Sequence, residues 1–200
     1  SGASSHKFSS GSLTEGRIAA KAMVKFAMEN KETPAVSDAA INELKDKILA
    51  PLKIYEENKD YTTDPDINPA YIRPYMFMFR LQKIMDEYAG GVSAAFKTND
   101  KLLERAVELL DFLKEDADKL AAEDVYELER VWENTQRMYQ AEVHVRTMQA
   151  REETRWPGYY FRTDKPKMDN DNWLCFMNAK IDPKSGEWEM VKRPIHKIID

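Results

Sequence analysis

The most distinctive stretch of the sequence is residues 151–162, which read REETRWPGYYFR. It is followed by Asp164, Pro166, Asp169 and the pair Asn172-Trp173. Before this stretch, apolar residues recur at spacings of three and four from Leu128 to Met148. Such spacing is typical of one buried helical stripe, and it predicts a long helix over residues 122–154. The stretch therefore covers the end of a long helix and the segment that follows it.

Two arginines in this stretch allow two interpretations. Arg155 and Arg162 could clamp a phosphate or a carboxylate, because a guanidinium can donate two parallel hydrogen bonds to such a group. They could instead form structural ion pairs with Glu152, Glu153 or Asp164. We favour the structural role, since the carboxylates are close along the chain.

The rest of the chain reads as four shorter helices and a hairpin. Periodicity predicts helices over residues 13–30, 37–58, 69–89 and 100–116, with Ser12 as a plausible N-cap of the first and Pro51 as a kink in the second. Alternating residues over 173–181 and 187–193, around the turn at 182–186, predict two paired strands. The predicted fold is mainly α, an antiparallel helical bundle with a C-terminal β-hairpin extension.

The run Tyr75-Met76-Phe77-Met78-Phe79 could line a cofactor pocket. Core packing is the better interpretation, because helical spacing already accounts for these side chains. The histidines, at positions 6, 144 and 196, are too scattered for a metal site. Cys175 is the single cysteine, and we expect it to be a strand residue without a redox role.

Composition excludes several classes of protein. The net charge of −5 argues against a nucleic-acid-binding surface. No apolar run approaches the roughly 18 residues that a membrane span needs. One cysteine leaves no internal disulfide and no cluster of thiolates for zinc or an iron–sulfur centre, which fits a reducing, cytoplasmic setting.

Residues 1–12, SGASSHKFSSGS, have two interpretations. They could be a flexible linker rich in serine and glycine. They could instead be a loop that leads into a helix beginning near Leu13. The N-terminus of such a helix offers unpaired backbone N–H groups and the positive end of a dipole to a polar or anionic ligand.

The stretch after residue 150 resembles the flavoproteins of the fumarate reductase/succinate dehydrogenase superfamily. In that family a long helix ends in a Glu-Ser-Arg element, followed by an Arg-x-Asp-x-Pro segment and an Asp-rich turn before a strand that begins with Trp. Here Thr154 stands where the family has Ser. Residues 156–160, Trp-Pro-Gly-Tyr-Tyr, replace the usual Gly-Ala-His, and this replacement is similar to the adenylylsulfate reductase alpha subunits of the superfamily.

The N-terminal segment resembles the last FAD-binding motif of the same family, Gly-Ala-Asn-Arg-Leu-Gly-Gly-Asn-Ser-Leu. It aligns with residues 4–13 without a gap, and Lys7 stands where the family has Arg. The resemblance implies that FAD is contacted by Ser9, Ser10, Gly11, Ser12 and Leu13. Whether His6 or Lys7 also contacts flavin or substrate is left open.

The resemblance implies three parts, which are a remnant of the FAD-binding domain at 1–30, the helical bundle at 31–156 and an extension at 157–200. We expect the extension to be an interaction surface. The dinucleotide fingerprint Gly-x-Gly-x-x-Gly of the family does not occur in this sequence. We therefore expect a C-terminal fragment that is inactive alone, and we assign no catalytic residue and no metal ligand.

For the complete subunit, the resemblance implies the two-electron reduction of adenylylsulfate to AMP and sulfite at noncovalent FAD, or the reverse reaction. Electrons would arrive through an iron–sulfur beta subunit. Two alternatives remain, which are a fumarate reductase or succinate dehydrogenase type of flavoprotein and a stand-alone helical interaction domain.

Overall fold

The computed structural model describes residues 8–33, 35–58, 64, 66–67, 71–182 and 184–195. In this part of the chain it has six helices, which are α1 Phe8–Glu29, α2 Asp38–Asn58, α3 Pro74–Tyr88, α4 Asp100–Ala117, α5 Val125–Ala150 and α6 Asn170–Trp173. It also has four strands, which are β1 Lys97–Thr98, β2 Phe161–Arg162, β3 Cys175–Ile181 and β4 Trp188–Pro194. The predicted mainly α fold with a C-terminal hairpin is confirmed. None of the helices described is long and apolar enough to cross a membrane.

The chain divides into two compact units between Lys47 and Ile48. The N-terminal unit contains α1 and the first half of α2. Its described side chains from Ser12 to Lys47 are all exposed, including Ile18, Ala22 and Phe26, which lie four residues apart.

Helix α1 begins earlier than predicted. It starts at Phe8, so Ser12 lies inside the helix and the expected N-cap at Ser12 is wrong. Residues 8–12 contain no proline, so their sequence does not prevent the i to i−4 hydrogen bonds from extending to Phe8.

The C-terminal unit packs α3, α4 and α5 around one apolar core. The apolar stripe predicted on α5 is confirmed, and Thr135, which shares its spacing, is half-buried. Its buried apolar members are Leu128, Val131, Met138, Ala141, Val145 and Met148. Asn99 and Asp124 cap α4 and α5 by accepting hydrogen bonds from Leu102 N at 3.0 Å and Glu127 N at 2.8 Å.

Helix α3 starts at Pro74, five residues after the predicted start at Pro69, which lies outside the described residues. Arg73 is extended, with φ −69° and ψ 145°, as expected for a residue before proline. Of the aromatic run in this helix, Phe77 is fully buried in the core, whereas Tyr75 and Phe79 are exposed and pack edge to face. The core interpretation of residues 75–79 is therefore right for Phe77 and wrong for its exposed neighbours, because one helix face cannot hold five consecutive side chains.

Two features of the C-terminal unit were not predicted. Strands β1 and β2 form a short parallel pair, with Lys97 opposite Phe161 and Thr98 opposite Arg162. Trp173 does not begin a strand. It ends the single turn α6, which Asp169 caps, and it is buried. The hairpin β3–β4 follows in the predicted place, with Cys175 opposite Pro194 and Ile181 opposite Trp188.

Candidate functional site

The five residues predicted to contact FAD lie together in the first turns of α1. Ser9 to Leu13 follow directly on the first helical residue, Phe8. The first four N–H groups of an α-helix have no partner within the helix, so the backbone of residues 8–11 supplies donors that the helix itself does not use. No acidic residue occupies this first turn. Backbone amides at a helix N-terminus suit a polar ring edge or an anion, so this donor set fits the predicted cofactor. His6 and Lys7 lie outside the described residues.

Glu153 organises the first ionic cluster of the C-terminal unit. Its carboxylate is fully buried and accepts hydrogen bonds from Arg151 Nη1 at 2.5 Å, from Arg155 Nε at 2.7 Å and Nη2 at 2.9 Å, and from the backbone N–H of Asp169 at 2.9 Å. Burial raises the pKa of Glu153, but the hydrogen bonds from Arg155, Asp169 and Arg151 outweigh it, so the net pKa is below the usual value. This carboxylate is therefore a structural anchor.

Arg162 organises the second cluster. Its side chain is fully buried, and Nη1 donates to the backbone carbonyls of Met148 at 2.8 Å and Arg151 at 3.2 Å. Its Nε and Nη2 donate to the two oxygens of Asp164 at 2.9 and 2.8 Å, and Nη2 also donates to Asp100. The hydrogen bond from Arg162 is the main reason why the pKa of Asp164 lies well below its usual range. One side chain thus ties the end of α5 to the start of α4.

Neither arginine is available as a ligand clamp. Each nitrogen of the Arg162 guanidinium already donates within the protein, and Arg155 uses its third nitrogen, Nη1, on Asn170 at 3.0 Å. The predicted structural pairing with Glu153 and Asp164 is confirmed. Glu152 binds Lys165 instead, at 2.8 Å.

Thr154 shows why a hydroxyl residue suits its position. Its Oγ1 accepts the backbone N–H of Arg162 at 2.9 Å and donates to the carbonyl of Lys165 at 2.8 Å. Either Ser or Thr can make both bonds, so the departure from the Glu-Ser-Arg element leaves this chemistry intact.

Sequence reasoning missed several residues that hold this region together. Arg151 donates to the carbonyls of Trp173 at 3.0 Å and Cys175 at 2.9 Å, and thereby joins α5 to the hairpin. Buried Glu142 on α5 pairs with Lys114 of α4 at 2.8 Å and with Arg146 at 2.9 Å. The spacing from Glu142 to Arg146 is a helical signal in the sequence, whereas the pairing with Lys114 depends on how the helices pack.

Several known flavoproteins are similar to this chain. Residues 79–198 match the family described as fumarate reductase flavoprotein C-term. The adenylylsulfate reductase alpha subunit of Megalodesulfovibrio gigas is 43% identical over 198 residues, which are 99% of this chain and 30% of that protein. The structure of adenylylsulfate reductase from Archaeoglobus fulgidus superposes with a TM-score of 0.84 at 53% identity, over 98% of this chain and 30% of that one.

A more distant structure shares the fold. The quinol fumarate reductase of E. coli superposes with a TM-score of 0.60 at 18% identity, over 84% of this chain and 27% of that one. The chain thus spans less than a third of the length of each of these relatives. Because the family match covers more than half of the residues, this chain belongs to the fumarate reductase flavoprotein C-terminal family.

Proposed function

We propose that this chain is the C-terminal part of the flavoprotein subunit of an adenylylsulfate reductase. The complete subunit converts adenylylsulfate and two electrons to AMP and sulfite, or runs the reverse reaction, in the cytoplasm. The observation that carries the proposal is the 53% identity and TM-score of 0.84 to an adenylylsulfate reductase over 98% of this chain. The 18% identity to a fumarate reductase supports only a common fold.

The proposed cofactor is FAD, which would carry the two electrons when bound. Residues 9–11 would contribute first-turn N–H groups to it, and Ser12 and Leu13 would lie beside them, in a remnant of the FAD-binding domain at 1–30. Positive potential at a helix N-terminus stabilises negative charge, so these groups would favour a reduced, more electron-rich ring. The bundle at 31–156 and the extension at 157–200 would support this domain and bind the iron–sulfur beta subunit.

The test is made on the complete subunit with its natural upstream sequence. Purified protein should carry stoichiometric flavin absorbance and should reduce adenylylsulfate in the presence of the iron–sulfur subunit. Reduction of fumarate without reduction of adenylylsulfate would favour the alternative flavoprotein function. The isolated 200-residue chain should be colourless, because most of a dinucleotide site would lie elsewhere.

A substitution at Ser9 tests the cofactor contact. Proline is tolerated in the first turn of a helix but lacks the N–H, so Ser9→Pro removes one donor without breaking α1. We expect lower flavin occupancy or a more negative flavin potential in the complete subunit. Ser9→Ala keeps the N–H and is the matched control. Equal occupancy and potential in Ser9→Pro and wild type would remove residue 9 from the FAD site.

A further inference from the structure

We draw no further inference here: the strongest candidate, the cavity of about 540 Å³ that His144, Tyr159 and Tyr160 line between α5 and the turn that follows it, carries none, because nothing in the described part of the chain shows what occupies or covers it.

Discussion

At the scale of single residues, Arg162 contributes most to the region after α5. It is fully buried and donates to two carboxylates and two carbonyls that come from different elements. Breaking a buried ion pair by removing one partner is strongly destabilising, because the remaining charges and carbonyls lose their counterpart.

We therefore expect Arg162→Met to lower the free energy of unfolding by about 3–5 kcal/mol. The matched control is Arg137→Met, which removes a half-exposed helical pair with Glu133 at 3.2 Å and should cost at most about 0.5 kcal/mol. Urea unfolding followed by circular dichroism measures both. A cost below about 1 kcal/mol for Arg162→Met would show that the buried cluster is not needed for stability.

Asp164 makes the same cluster sensitive to acid. The hydrogen bond from Arg162 holds the pKa of Asp164 far below its unfolded value of about 4. A carboxyl with a depressed pKa in the folded state stabilises the fold above the unfolded pKa, and this contribution is lost as the pH falls below it.

Asp164→Asn should therefore lower the free energy of unfolding at pH 7 and make it fall less steeply with acid below about pH 4. The measurement is the free energy of unfolding in urea at a series of pH values. Parallel curves for wild type and variant would show that Asp164 does not contribute to the acid sensitivity. The remaining slope should come partly from Glu153, whose pKa is also lowered.

The sequence predicted the roles of these arginines but not their full set of partners. Glu153 and Asp164 lie two residues from Arg155 and Arg162, so local chain geometry already brings them close. Asp100 is 62 residues away from Arg162. That contact exists only because α4 and α5 pack side by side, and no pattern in a single sequence encodes it.

At the scale of elements, interiors were predicted better than boundaries. Burial of one stripe fixes the middle of α5, and this stripe is visible in the sequence. The position at which a helix ends depends instead on whether its last residues bond within the helix or with the segment that follows it. Helix α5 stops at Ala150, before the predicted 154, because Glu153 and Thr154 are buried in contacts with the following segment. The pair β1–β2 was missed, because two strands of two residues each leave no periodicity to detect.

The turn after α3 provides a test of one such boundary. A Cβ at Gly91 would lie 2.4 Å from the backbone Cα of Asp86, so the end of the helix would have to move. A Cβ at Gly158, by contrast, would have no neighbouring atom within 4 Å, and the φ of Gly158 lies outside the positive range that strains other residues.

Gly91→Ala should therefore lower the free energy of unfolding by about 1–3 kcal/mol, as in other overpacked sites. Gly158→Ala should leave it unchanged or raise it by up to about 1 kcal/mol, because alanine has fewer unfolded conformations than glycine. Thermal unfolding of the two variants makes the comparison. Equal midpoints would mean that the α3 turn adapts without cost.

At the scale of the whole molecule, the structure shows how closely the segment after α5 is joined to the bundle. The sequence suggested that the bundle ends at residue 156 and that residues 157–200 form an interaction surface outside it. Yet β2 pairs with β1, and Arg162 fills a buried position between the end of α5 and Asp100. Residues 157–168 thus help to complete the bundle, whereas β3 and β4 lie outside its core cluster.

Two truncations separate these roles. A chain ending at Leu174 keeps Arg162, Thr154 and their partners but loses the hairpin and the hydrogen bond from Arg151 to the Cys175 carbonyl. Its helical content should therefore be unchanged, and its melting temperature should fall by only about 2–4 °C. A chain ending at Trp156 loses Arg162 and leaves the carbonyl of Met148 and the carboxylate of Asp100 without its hydrogen bonds. Such losses cost several kcal/mol, so this chain should melt at least about 10 °C lower or fail to fold. Circular dichroism melts of both would decide, and similar midpoints would mean that residues 157–174 only cover a bundle that is stable without them.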